Sequence, residues 1–238
     1  MKIDSHRIQA HRGASGQFPE NTLRAFRKAH EAGVTSIETD LSLLADGALA
    51  IFHDPVLGRT VPGTAAITSL TADEVANLDA GAWRGADHAS EAVPLMRDIL
   101  DWQQTTDIGF NWEMKIHGDE HRPAAEALAA HLKGRDLDLS IVSSFDTRFL
   151  AEIKHILPEL PRALIVEDIP ADWKIMGQQM ELTAFHLDQE FVTPALVRDI
   201  HDADYLVRVY TVNDEPDMAR MIEANVDVII SDYPERWL

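Results

Sequence analysis

The chain has 238 residues, of which 45% are hydrophobic, which suits one large domain with a substantial core. Its 21 basic and 40 acidic residues give a formal net charge of −19, which argues against nucleic acids and anionic membranes as partners. No stretch contains the roughly 18 consecutive apolar residues of a membrane helix. The polar start leaves no room for a secretory signal, and the absence of cysteine excludes disulfides; both favour a cytoplasmic protein.

The first part of the chain alternates between strand and helix patterns. Residues 7–13 predict a strand, residues 21–33 a helix with an asparagine cap and a closing glycine, and residues 35–43 a second strand. In IETDLSLLADGALAIFHD (37–54), polar and apolar residues alternate around an Asp-Gly pair, which indicates strand, turn and strand.

Residues 58–94 interrupt this alternation. They contain Gly, Pro, Ala and Thr in loop-like runs and no strong strand pattern. We predict that they form a small insertion within a single catalytic domain of residues 1–238, and not a second domain.

The second half returns to regular alternation. Strands are predicted over residues 109–116, 137–145, 162–167, 181–188, 205–213 and 227–232. Helices are predicted over residues 121–134, 146–156, 193–203 and 215–226. About eight strand–helix units predict an α/β fold with a parallel sheet, and the (β/α)₈ barrel is the fold with that count. Periodicity alone leaves an open sheet as the alternative.

Acidic side chains occupy alternate positions on one predicted strand. Glu38 and Asp40 therefore project from the same face, which is costly unless a cation or a shared proton separates them. Glu113 and Lys115 repeat this spacing on another strand, and all strands of a parallel barrel end at one rim. Hard oxygen ligands favour Mg²⁺ or Ca²⁺, so the three carboxylates are candidate ligands of one divalent cation. An acidic pair exposed at a strand end is the alternative.

Two histidines stand at the ends of predicted strands. His11 and His53 are suited to proton transfer near neutral pH, although either alone could be structural. Arg12 and Lys115 supply positive charge that does not titrate near neutrality, which suits a phosphate group. Together with the acidic residues, this set is typical of phosphodiester cleavage.

Several segments, in order along nearly the whole chain, resemble the glycerophosphodiester phosphodiesterases. They are HRGASGQFPENT (11–22), IETDLSLLADGALAIFHDPVLGRT (37–60), WEMK (112–115), SSFD (143–146), VYTVND (209–214) and VDVIISDYPE (226–235). The resemblance implies a TIM barrel with a small insertion after the second strand region. It also implies metal-dependent hydrolysis of glycerophosphodiesters to sn-glycerol 3-phosphate and an alcohol.

The resemblance implies roles for the charged residues as well. Mg²⁺ or Ca²⁺ would be held by Glu38, Asp40 and Glu113. Arg12 and Lys115 would contact the phosphate.

The remaining implied roles concern proton transfer and orientation. His11 would be the base and His53 the acid in forming a cyclic phosphate intermediate. Glu20 and Asn21 would orient Arg12 or the metal ligands, with helix capping the alternative for Asn21.

Three alternative functions fit these residues less well. A related barrel phospholipase that works without a metal would not need the three carboxylates, and a non-catalytic phosphate-metabolite binder would not need both histidines. A metal-dependent nuclease is disfavoured by the −19 charge. The sequence leaves open the head group, the native metal and the oligomeric state.

Overall fold

The computed structural model describes residues 2–238. Its strands are β1 (Ile8–His11), β2 (Ser36–Leu43), β3 (Leu49–Ile51), β4 (Gly109–Lys115), β5 (Ser140–Ser144), β6 (Arg162–Val166), β7 (Ala184–Asp188), β8 (Leu206–Tyr210) and β9 (Val228–Ser231). Its α-helices are α1 (Leu23–Glu31), α2 (Ala72–Val75), α3 (Met96–Gln103), α4 (His121–Leu132), α5 (Thr147–Ile156), α6 (Trp173–Met180), α7 (Pro194–His201) and α8 (Glu215–Glu223). Each predicted strand from residue 109 onward overlaps an observed one.

Eight of these strands form a closed parallel barrel. Their order is β1-β9-β8-β7-β6-β5-β4-β2, and β1 also pairs with β2, where His11 lies opposite Glu38. This last pairing closes the ring, which the sequence pattern could not decide. β3 runs antiparallel to β2, as the strand–turn–strand pattern predicted. The predicted TIM barrel is therefore confirmed.

The main hydrophobic core lies between the barrel and its surrounding helices. Alternate residues of each strand face outward, so Ile37 and Leu41 of β2 join Phe110 and Trp112 of β4 in this layer. Phe110 and Trp112 stack with ring centroids 4.5 Å apart, and Trp112 is fully buried. Trp112 therefore packs outside the barrel, while its neighbours in sequence face the interior.

Helix α6 had no clear signal in the sequence. It contains Gly177 in its second turn, and glycine disfavours a helix by about 1 kcal/mol relative to alanine. A Cβ at this position would come within 2.7 Å of the Tyr205 ring, so close packing explains the glycine. No helix in residues 2–238 has the length and apolar composition needed to cross a bilayer.

Residues 58–94 lie outside the barrel strands. Short helical turns, including α2, alternate with isolated bridges such as the one between Asp79 and Ala92. Ile67 and Val75 are fully buried in a second apolar cluster, which also includes Phe52 at the end of β3. These contacts attach the segment to the β2–β3 corner.

Candidate active site

A cavity of about 180 Å³ opens where the barrel strands end. Its lining includes six of the residues singled out in the sequence: His11, Arg12, Glu38, His53, Glu113 and Lys115. Asp40 lies directly behind them and is fully buried. The barrel thus brings together side chains from β1, β2, β4 and the loop after β3.

Three carboxylates form a compact group at this cavity. One oxygen each from Glu38, Asp40 and Glu113 lies within 4.8 Å of the other two. All three residues are buried, with exposed fractions of 3%, 0% and 8%. Oε1 of Glu38 has no hydrogen-bond partner within residues 2–238. Burial, and then the charges of Asp40 and Glu113, raise the pKa of Glu38 well above its usual value. An unpartnered buried oxygen in an anionic group suits a divalent cation.

Two cations stand beside these carboxylates. Nε of Arg12 lies 2.9 Å from Oδ2 of Asp40, and Nζ of Lys115 lies 3.1 Å from Oδ1 of Asp40. Lys115 also contacts Glu113. Burial by itself would raise the pKa of Asp40, but Arg12 and Lys115 hold it well below its usual range. Asp40 is therefore ionised, and the two cations remain within reach of an anion in the cavity.

His11 is held from behind by an aspartate that we did not single out in the sequence. Nδ1 of His11 lies 2.6 Å from Oδ1 of Asp232, which follows β9. Ser15 donates to the same oxygen at 2.9 Å, and Nδ2 of Asn213 donates to Oδ2 at 2.7 Å. Burial opposes ionisation, but these hydrogen bonds lower the pKa of Asp232 to about 2. Because a carboxylate only accepts, the proton of neutral His11 lies on Nδ1, and Nε2 is free to accept another.

His53 has a comparable partner. Its Nδ1 lies 2.7 Å from Oδ1 of Asp54, and Nε of Arg59 donates to Oδ2 of Asp54 at 2.7 Å. Both terminal nitrogens of Arg59 donate to Glu20 at 2.8 Å, and Arg12 donates to Glu20 at 2.8 Å. One chain of ion pairs therefore links the second histidine to Arg12. Arg59 belongs to the segment predicted as an insertion.

Asn21 contacts the carboxylates and does not cap the helix. The predicted asparagine cap is wrong, because Thr22 is the N-cap of α1 and its hydroxyl accepts from the Ala25 amide at 3.2 Å. The Asn21 side chain instead donates to Oδ2 of Asp40 at 2.7 Å and accepts from Thr39 at 2.9 Å. This amide orients Asp40.

The turn after β1 aims Arg12 into the site. Arg12 adopts φ of 54° and Gly13 adopts φ of 83°, both in the left-handed region. The amide of Arg12 donates to the Glu38 carbonyl at 2.8 Å, which anchors the turn to β2. A Cβ on Gly13 would lie 2.7 Å from the backbone of Ala25, so only glycine allows α1 to approach this closely.

The cavity also contains side chains that the sequence reasoning missed. His186 on β7 faces the barrel interior with 1% exposure, and its burial lowers its pKa well below the usual value. Phe145 is half exposed at the mouth, with Nζ of Lys115 lying 5.8 Å from its ring centroid. His186 and Asp232 both lie within predicted strands, and Asp232 also falls in the family-like segment 226–235, which was a further signal for it.

Comparison with known proteins adds to this geometry. The sequence profile of the glycerophosphoryl diester phosphodiesterase family matches residues 11–236. The chain belongs to this family.

Similarity to individual members of the family extends over almost the whole chain. A glycerophosphodiester phosphodiesterase of Caldanaerobacter subterraneus is 33% identical over 96% of this chain and 94% of that protein. An Oleispira antarctica phosphodiesterase, solved in complex with the product sn-glycerol-3-phosphate, is 33% identical with a TM-score of 0.93, covering 97% of this chain and 94% of that one. A glycerophosphodiester phosphodiesterase from Agrobacterium tumefaciens is 26% identical with a TM-score of 0.82, covering 99% and 98%.

Proposed function

We propose that the protein hydrolyses glycerophosphodiesters to sn-glycerol 3-phosphate and an alcohol, using a divalent cation and two histidines. The observation that carries this proposal is the buried group of Glu38, Asp40 and Glu113 at a cavity that His11 and His53 also line. Membership of the family and the product complex of the Oleispira antarctica relative support the substrate class.

The proposed ligands of the cation are the three grouped carboxylates. Their oxygens are hard donors, which favours Mg²⁺ or Ca²⁺ over softer metals. When bound, the cation would neutralise negative charge on the phosphate and on the attacking oxygen. Arg12 and Lys115 carry positive charge beside the same space and would bind the remaining phosphate oxygens.

In the first step, the free glycerol hydroxyl next to the ester is the nucleophile. Nε2 of His11 accepts its proton, because Asp232 holds the other ring proton on Nδ1. The oxygen forms a bond to phosphorus, and the bond from phosphorus to the departing alcohol oxygen breaks. Protonated His53 donates its proton to that oxygen, so a cyclic phosphate and a neutral alcohol result.

In the second step, water opens the ring. His53, now neutral, accepts a proton from the water as its oxygen bonds to phosphorus. The ring bond to the secondary glycerol oxygen breaks, and His11 returns its proton to that oxygen. The products are sn-glycerol 3-phosphate and an enzyme with both histidines in their starting states.

The test is a product assay on several substrates. Glycerophosphodiesters carrying choline, ethanolamine, glycerol or inositol are incubated with Mg²⁺, Ca²⁺ or Mn²⁺, and sn-glycerol 3-phosphate is measured with a coupled dehydrogenase. We expect turnover that EDTA abolishes and that excess metal restores. Activity that survives complete chelation would refute the metal requirement, and turnover of none of the four substrates would refute the substrate class.

We further propose that the enzyme acts in the cytoplasm as a catalyst for small diffusible substrates. Its lack of cysteine fits a reducing compartment, and its net charge of −19 disfavours adsorption to anionic lipid or nucleic acid. Fractionation of cells that express the tagged protein tests this, and recovery with the membranes would contradict it.

A further inference from the structure

A second cavity lies at the opposite end of the barrel. It has a volume of about 540 Å³, and none of its lining residues within 2–238 also lines the candidate active site. Apolar side chains form much of its wall: Phe110, Leu139, Ile141, Pro161, Leu206 and Val228. The side chains of Leu139 and Leu206 are 44% and 45% exposed, although Leu139 immediately precedes β5 and Leu206 begins β8. The amino-terminal end of the barrel is therefore open to solvent and lined largely by apolar side chains.

One cation points into this cavity from the barrel interior. Arg208 projects from β8 beside His186 of β7, its neighbour in the sheet register. Within residues 2–238, Arg208 has no ion pair and its buried Nε has no hydrogen-bond partner. The nearest acidic influence is Asp227, whose Oδ2 already contacts His201 at 2.8 Å and accepts from the Val207 amide at 2.7 Å. The residue is half-buried, and a guanidinium whose buried nitrogen lacks a partner is unfavourable.

The cavity offers Arg208 a further donor and no ion pair within residues 2–238, although exposed Asp107 and Asp138 also line its wall. Ser36, on the interior face of β2, accepts from Nε2 of Gln9 at 3.2 Å, which leaves its hydroxyl proton available. Burial lowers the pKa of Arg208 to about 10, so the side chain remains protonated at neutral pH. His186 is neutral there because burial depresses its pKa. Cationic and hydroxyl donors beside an apolar wall suit an amphiphilic anion.

We propose that this cavity binds an organic monocarboxylate with a short apolar chain. The carboxylate pairs with Arg208 and the Ser36 hydroxyl, and the chain lies along Leu139 and Leu206. A polyanion such as a nucleotide fits poorly, because exposed Asp107 and Asp138 also line the cavity. The site is separate from the candidate active site and does not depend on the proposed hydrolysis.

Titration calorimetry with octanoate, with Mg²⁺ and saturating sn-glycerol 3-phosphate present to fill the active site, tests the proposal. We expect binding to the intact protein, binding at least tenfold weaker in Arg208→Met, and unchanged binding in Arg97→Met. Arg97 is the matched control because its side chain is 64% exposed on the surface. Acetate, which has no chain, should bind at least tenfold more weakly than octanoate.

The thermal stability of Arg208→Met gives a second test of whether Arg208 is unpaired. Without ligand, Arg208→Met should unfold at the same temperature as the parent or higher, since the guanidinium loses no partner. A markedly lower unfolding temperature would show that Arg208 is already paired and would overturn the proposal. Octanoate affinity that is unchanged in Arg208→Met, or equal to that of acetate or sulfate, would also overturn it.

Discussion

Replacement of Asp232 by asparagine should reverse the tautomer of His11. Asn213 is fixed in orientation, because its Oδ1 accepts from the amide of Asp232 at 2.9 Å and its Nδ2 donates to Oδ2 of Asp232 at 2.7 Å. The carbonyl oxygen of the new amide must therefore face Asn213. Its NH₂ group then takes the place of Oδ1 and faces Nδ1 of His11. A donor facing Nδ1 forces the ring proton onto Nε2, where the base should accept.

The size of the effect follows from the contact that is lost. A hydrogen bond to a charged group contributes about 1.5–3 kcal/mol, and this one strengthens when His11 becomes an imidazolium. At about 1.4 kcal/mol for each factor of ten, kcat should fall by about 10- to 150-fold. The tautomer change adds to this, so we expect Asp232→Asn near the upper end or beyond it. KM should change little, because Asp232 lies behind His11.

The assay is steady-state release of sn-glycerol 3-phosphate at saturating metal. Glu167→Gln is the matched control, since Glu167 follows β6 at the same rim but is exposed. Calorimetric metal affinity and far-ultraviolet circular dichroism should be the same in both variants and the parent. A kcat of Asp232→Asn within twofold of the parent, with the fold intact, would refute the role of Asp232 in positioning His11.

Substitutions at three other residues test the remaining contacts. Glu113→Gln removes a charge from the carboxylate group, so the affinity for Mg²⁺ measured by calorimetry should fall at least about tenfold. His53→Ala should lower kcat by about 10²- to 10⁴-fold, the usual contribution of a general acid, in the product assay. Arg59→Met should lower kcat/KM by about two- to fivefold, because its ion pairs are partly exposed and contribute only about 0.5–1 kcal/mol. Arg59→Lys should restore little, since an ammonium cannot bridge Glu20 and Asp54 as the guanidinium does.

A common control separates these effects from general loss of charge or stability. Glu126→Gln removes a surface carboxylate that is 56% exposed and pairs with Arg122 on α4. It should change neither metal affinity nor turnover. Unchanged metal affinity in Glu113→Gln would exclude that residue as a ligand. Normal turnover in His53→Ala or Arg59→Met would remove the residue from the role described.

The local pattern of the sequence determined most of the elements and the inward-facing residues of the site, although helices α3 and α6 gave no clear signal. Alternation in a strand is geometric, so Glu38 and Asp40 had to share one face wherever the strand lay. Strand ends in a parallel barrel meet at one rim, which is why His11 could be grouped with the carboxylates before any contact was known. The family motifs added the likeness to phosphodiesterases.

Tertiary structure alone decided which distant groups touch. Asp232 reaches His11 because β9 lies beside β1 in the ring, although 221 positions separate the two residues. Arg59 spans Asp54 and Glu20 because its segment folds back over the β2–β3 corner. The unpaired Arg208 was equally invisible in the sequence. Periodicity gives the face of a strand on which a residue lies, but only closure of the barrel determines what stands opposite it.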